Sequence, residues 1–189
     1  MNGLISQVIS NLTASFRFNG TLNASMSEFK NNLVPLNRFK FLLSSYSPIF
    51  SSEACYCCYD NTVKDIIEAC IRPDSMMVKC DPRLGKYMAC NMMYRGGDIS
   101  FKLIREAINS INTKKTVQFV DWSLGFQSGV TQQHQAFLPG GDISRWMKNG
   151  CMISNSTSIS DFFSRINNKF DLMYSKKAFV HWYTQEGME

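Results

Sequence analysis

Apolar residues along this chain recur first at helical spacing. Leu4, Ile5, Val8, Ile9, Leu12 and Phe16 predict an amphipathic or buried helix from Met1 to Phe16, broken by Asn19-Gly20. Ser25-Met-Ser-Glu28 has the form of a capping box, in which the Ser25 hydroxyl accepts from a backbone N–H three residues on and Glu28 reaches back. The short helix it starts runs to about Val34 and is stopped by Pro35. Arg38 to Tyr46 alternates loosely, is rich in Phe and Leu, and predicts a strand. Ser47 to Asn61 is polar and reads as a long loop, followed by a helix from Thr62 to Ile71. Arg72 to Lys86, with Pro73, Pro82 and Gly85, predicts irregular chain with a short strand near Met77 to Cys80.

The second half keeps alternating between the two periods. Tyr87 to Tyr94 is a continuous apolar run, the pattern of a central strand buried on both faces. Ile99, Leu103, Ile104, Ala107, Ile108 and Ile111 predict a helix. Val117 to Trp122 and Gly125 to Thr131 predict strands, a polar loop carries Pro139-Gly-Gly-Asp142, and Cys151 to Ser154 predicts another strand. Ser156 to Ser158 offers caps for a helix through Phe162, Phe163, Ile166 and Phe170, and Lys176 to Trp182 predicts a further helix. Strands alternating with helices, without internal repeats, make the chain α+β or α/β: a mixed sheet with helices packed on it.

Composition narrows the function classes. A length of 189 residues allows one domain, or one domain with a small appendage. No run of about 18 apolar residues exists, so no membrane-spanning helix is expected. The opening segment lacks a basic start and a small-residue cleavage site, which argues against a signal peptide and for the cytoplasm. The net charge of +5 does not concentrate; its tightest runs are Lys114-Lys115 and Lys176-Lys177. Solvated faces explain it better than a nucleic-acid or membrane surface. Seven cysteines, an odd number in a chain with no secretion signal, read as free thiols. Cys55, Cys57 and Cys58 cluster, yet no second short pair accompanies them and His134 and His181 are isolated, so no metal is expected. Cys70, Cys80, Cys90 and Cys151 read as small core residues. The Asn-x-Ser/Thr matches at Asn11, Asn19, Asn23 and Asn155 are chance in a cytosolic chain. Trp122, Trp146 and Trp182 read as core or domain-interface anchors, and His181 as a packed surface-helix residue.

Longer words are more specific. Val78-Lys-Cys-Asp-Pro-Arg-Leu-Gly-Lys-Tyr-Met-Ala-Cys90, Gln118-Phe-Val-Asp-Trp122, Pro139-Gly-Gly-Asp142, Cys151-Met-Ile-Ser-Asn155, Lys169-Phe-Asp-Leu-Met-Tyr-Ser-Lys-Lys-Ala-Phe-Val-His-Trp-Tyr183 and Glu186-Gly-Met-Glu189 resemble tubulins in wording, order and spacing. The resemblance is to the α type. Glu28 stands where α chains carry an acid and β chains a lysine, and the loop around Pro139 to Asp142 resembles the insertion that distinguishes α from β.

The resemblance implies an α+β fold, a mixed four-stranded sheet flanked by helices and followed by a helical segment. Residues 1–17 would be the second half of the tubulin core helix, 18–154 the intermediate domain, and 155–189 the start of the helical carboxy-terminal domain. It implies a structural constituent of microtubules in the cytoplasmic cytoskeleton. Partners would be β-tubulin, the microtubule lattice, and motors or other microtubule-associated proteins. The implied cofactor is GTP with Mg²⁺. Glu28 would act in trans, positioning the attacking water on GTP bound by the next β subunit, and Asn2 matches the residue that reaches the guanine base. The glycine-rich phosphate loop would lie before Met1, so this chain is not expected to bind GTP by itself, and no complete catalytic constellation lies within it. The long outer helix and acidic tail would follow Glu189, and losing a strongly acidic tail would account for a basic pI. The alternative is a truncated tubulin-like module that binds tubulin or its regulators without polymerising or hydrolysing GTP.

Three departures from the tubulin pattern stand out. Ser25 replaces a usual aspartate. Ala54-Cys-Tyr-Cys-Cys58 replaces a stretch that usually carries a lysine and a histidine for lateral contacts, with Tyr56 left as a possible knob. Ser123 to Gly129 is one residue short. The opening helix is expected to expose an apolar stripe, Leu4, Val8 and Leu12 or whichever stripe faces outward.

Overall fold

The computed structural model describes residues 2–20, 25–50, 61–114, 117–136, 141, 143–144 and 146–188. Helices α1 (Asn2–Leu12), α2 (Ala14–Arg17) and α3 (Met26–Leu33) lead into strand β1 (Leu43–Ser47). Helix α4 (Val63–Ile71), β2 (Tyr87–Gly96), α5 (Phe101–Lys114), β3 (Phe126–Thr131) and β4 (Lys148–Ser156) follow, and α6 (Ser160–Ser175) and α7 (Val180–Gln185) end the chain. The four strands form one mixed sheet in the order β1-β4-β2-β3. β4 runs antiparallel to β1 and β2, while β3 lies parallel to β2, reached through α5 as the crossover helix. The expected mixed four-stranded sheet flanked by helices is thus observed.

The apolar run of β2 has the predicted cause: every position from Tyr87 to Gly96 is buried, because helices cover both faces. On one face Cys90, Met92 and Tyr94 of β2 and Met152 of β4 meet α4 and α5. Helix α4 contributes Val63, Ile66, Ile67, Cys70 and Ile71, a stripe at three- and four-residue spacing, and α5 contributes Ile104, Ala107 and Ile111. On the other face Met93 and Ile153 take Phe29 and Leu33 of α3, while Tyr46 and Cys151 take Val8 of α1. Asn155 fastens the α3 end: its Nδ2 donates to Leu33 O at 3.1 Å and Phe39 O at 2.8 Å.

Several expected boundaries move, each for a local reason. The opening helix is interrupted at Thr13, whose hydroxyl donates to Ile9 O at 2.9 Å, a back-bond that bends helices. The strand expected from Arg38 begins only at Leu43, because Phe39 closes a turn on Leu36 O and gives its carbonyl to Asn155. Val117 to Trp122 is no strand. Only Phe119 bridges to Tyr87, and Ser123 N closes a turn on Val120 O at 3.0 Å before β3. Met77 to Cys80 is likewise reduced to one bridge, from Met76 to Ser45. The last helix starts at Val180 and not at Lys176, since Lys177 and Phe179 have φ of 52° and 61° and break the coil. β4 runs from Lys148 to Ser156, longer at both ends than the strand expected from Cys151 to Ser154.

Candidate functional site

The Ser25 capping box is present as expected. Ser25 Oγ accepts from Glu28 N at 3.3 Å, and Glu28 Oε2 accepts from Ser25 N at 3.0 Å. Phe29 and Leu33, on the inner face of the same helix, anchor it to Met93 and Ile153. The result is an exposed carboxylate on the first turn of a helix docked on the sheet, with one oxygen tied to its own backbone. Asn2, the first residue of α1, is also exposed. No hydrogen bond or ion pair joins Asn2 to Glu28 among the described residues.

Three of the described glycines are taken up by close approach of the protein's own backbone. A Cβ on Gly96 would collide with Met147 O, on Gly20 it would meet Val130 O at 2.8 Å, and on Gly85 it would meet Ser158 N at 2.6 Å. These glycines admit the protein's own backbone, not a ligand. These three glycines leave no room for a phosphate, and no step is routed through a nucleotide. Among the described residues, no group of three or more His, Cys, Asp or Glu is placed to hold a metal ion.

The other singled-out residues separate. Cys70, Cys80, Cys90 and Cys151 are free and buried, as small core residues should be. Burial pushes the Cys151 thiol up to about 12 and raises Cys70 and Cys90 as well, so none is a ready nucleophile. Trp122 and Trp182 are 54% and 61% exposed and are not core residues; Trp146 is half-buried against Phe50 at 5.1 Å between ring centroids. His181 is exposed on α7 with its ring 5.1 Å from that of Trp182. Cys55, Cys57, Cys58, Tyr56, Asn23, Lys115, Glu189 and the Pro139, Gly140 and Asp142 of the loop motif lie outside the described residues.

One buried polar cluster was not foreseen. Arg95, at the end of β2 and only 4% exposed, donates from Nε to Gln133 O at 2.8 Å and from Nη2 to His134 O at 3.1 Å. Its Nη1 donates to Ser10 Oγ at 2.9 Å and Asn11 Oδ1 at 3.3 Å. Burial lowers its pKa, and the nearby Arg17 guanidinium adds to that; both cations lie over the Phe18 ring. Asn11 Nδ2 donates to Asn149 Oδ1 at 2.8 Å, and Gln135 Oε1 accepts from Asn149 Nδ2 at 2.8 Å and Tyr46 OH at 3.0 Å. The sequence signal was an arginine closing a strand that is apolar apart from Asn91. Its partners were invisible because they lie 38 to 85 residues away.

Comparison with known families matches residues 37–168 to the Tubulin C-terminal domain, more than half of the chain. The chain belongs to the tubulin family. The matched span contains all four strands, α4 and α5, so the membership and the mixed sheet agree. Tubulin membership makes this a cytoskeletal protein whose interactions are, in general terms, those of tubulins and microtubules. Asn2 and Glu28 both precede the matched span.

Proposed function

We propose that this tubulin-family chain acts as an α-type subunit: it pairs with β-tubulin, and Glu28 assists hydrolysis of GTP held by that partner. The exposed Glu28 carboxylate on its docked helix carries the reading. Phosphoryl transfer to water needs an acceptor that orients the nucleophile, while the phosphates and their Mg²⁺ are held elsewhere. Glu28 Oε2 is occupied by Ser25 N, which fixes the side chain's direction and leaves Oε1 to accept from a water. Docking through Phe29 and Leu33 gives that direction a firm base. In this reading residues 1–17 form part of a core helix, 18–154 an intermediate domain, and 155–189 the beginning of a helical domain, and Asn2 stands at the position that reaches the guanine base in complete family members.

The test is co-sedimentation and pull-down of the chain with β-tubulin and with preformed microtubules, together with GTP turnover for wild type and Glu28→Ala. Association in both, with turnover reduced roughly 10²- to 10⁴-fold in the variant, is expected. Turnover that does not depend on Glu28 would remove the catalytic role. Failure to associate would remove the subunit role as well.

A further inference from the structure

Helix α1 is weakly anchored by apolar contact. Val8 is its one buried apolar residue, Leu4 and Leu12 pack partly beside it, and Ile5 and Ile9 are more than half exposed. The residues after β3, from 132 to 136, contribute no buried side chain. The two segments are joined by polar bonds instead. Arg95 reaches both at once: Ser10 and Asn11 on α1, and the Gln133 and His134 carbonyls after β3. Gln135 repeats the link, donating from Nε2 to Gln7 O at 3.2 Å. Every described acceptor of the Arg95 guanidinium is a neutral oxygen, so its buried charge is stabilised by dipoles from both segments. If either segment leaves, the cation loses half of its described partners, and an under-solvated buried charge is costly.

We infer that α1 and residues 133–135 form one cooperative unit clamped by Arg95, so that they open together and whatever steadies one steadies the other. Local opening of this kind is measurable by native-state hydrogen exchange. The variant Gln133→Gly with His134→Gly loosens the second segment while keeping both carbonyls that Arg95 takes. Its cost is that of added backbone freedom, so the amides of Val8 to Leu12 are expected to exchange about two- to fivefold faster. Adding Arg95→Gln should diminish this effect of the glycines on α1, leaving what passes through Gln135, as a double-mutant cycle requires of a shared link. Should Arg95→Gln fail to fold, Ser10→Ala removes one α1 contact of the clamp and should diminish the effect. Unchanged α1 exchange in the glycine variant overturns the clamp, as does an increase that persists undiminished once the clamp is cut.

Discussion

Glu28 is asked to do two things, cap its helix and present a carboxylate, and the structure allows them to be separated. Ser25→Ala removes the oxygen that accepts from Glu28 N at 3.3 Å. Loss of such a cap costs about 1 kcal/mol, which for a chain of this length lowers the melting temperature by roughly 2–4 °C. Glu28→Gln keeps an amide oxygen that can still accept from Ser25 N, since glutamine also completes a capping box. It loses only the attraction between a carboxylate and the helix N-terminus, about 0.3–1 kcal/mol at an exposed site and less in salt. Thermal unfolding followed by circular dichroism should therefore rank Ser25→Ala below Glu28→Gln, with both close to wild type. GTP turnover with β-tubulin should rank them in reverse, because Ser25→Ala retains the carboxylate and Glu28→Gln does not. If Glu28→Gln melts well below Ser25→Ala, the carboxylate is holding the fold through contacts other than the box. Its loss of turnover would then say nothing about chemistry.

Ile66, fully buried between α4 and the sheet, should cost about 2–5 kcal/mol when truncated to Ala, visible as a fall of roughly 4–20 °C in melting temperature. Gly96→Ala places a Cβ against Met147 O at a φ of 130° and should lose at least about 1–3 kcal/mol, whereas Gly125→Ala, at a φ of 75° with open space around it, should lose less; equal losses in urea unfolding would show that collision contributes nothing. Burial raises Cys70, Cys90 and Tyr46 and holds Cys151 protonated up to about 12 against an ordinary 9.0, so between these limits the native state binds more protons than the unfolded chain. Stability should be level below about pH 9 and fall as pH rises toward 12, and a urea midpoint that stays constant from pH 7 to 10.5 would contradict this burial.

What could be read from residue order was whatever depends on neighbours in sequence. The Ser25 capping box and the fully buried Tyr87 run needed only local chemistry and a period, and both stand. The strand expected from Arg38 to Leu42 failed because Asn155, more than a hundred residues on, takes the Phe39 carbonyl that a ladder would have used. Val117 to Trp122 had the right alternation but meets β2 only at Tyr87, where the sheet offers one bridge. Arg95 was passed over for the same reason: a buried cation is legible only through its acceptors, and these come from α1 and from the chain after β3. Glu28 and Asn2 were named from the resemblance, since periodicity places them on helices without saying what they face.

The apolar stripes show the limit of pattern reading most directly. In α1 the spacing marks Leu4, Ile5, Val8, Ile9 and Leu12 alike, yet Val8 is buried beneath Tyr46 and Cys151 while Ile9 is 55% exposed. The stripe that faces outward on α1 is Ile5 and Ile9, while Leu4, Val8 and Leu12 turn inward. In α6 the same spacing yields a helix with no buried residue at all; Phe163 is half-buried, its ring 4.8 Å from that of Phe41 and 5.5 Å from that of Phe162. Both helices lie toward the limits of the family match or beyond them, whereas α4, α5 and the sheet, wholly inside it, cover one another. Within that span an apolar period specifies burial because a complementary face is supplied by the same chain. Beyond it the period specifies only which side would be buried, and on α1 the polar clamp at Arg95 supplies the fastening that apolar contact does not.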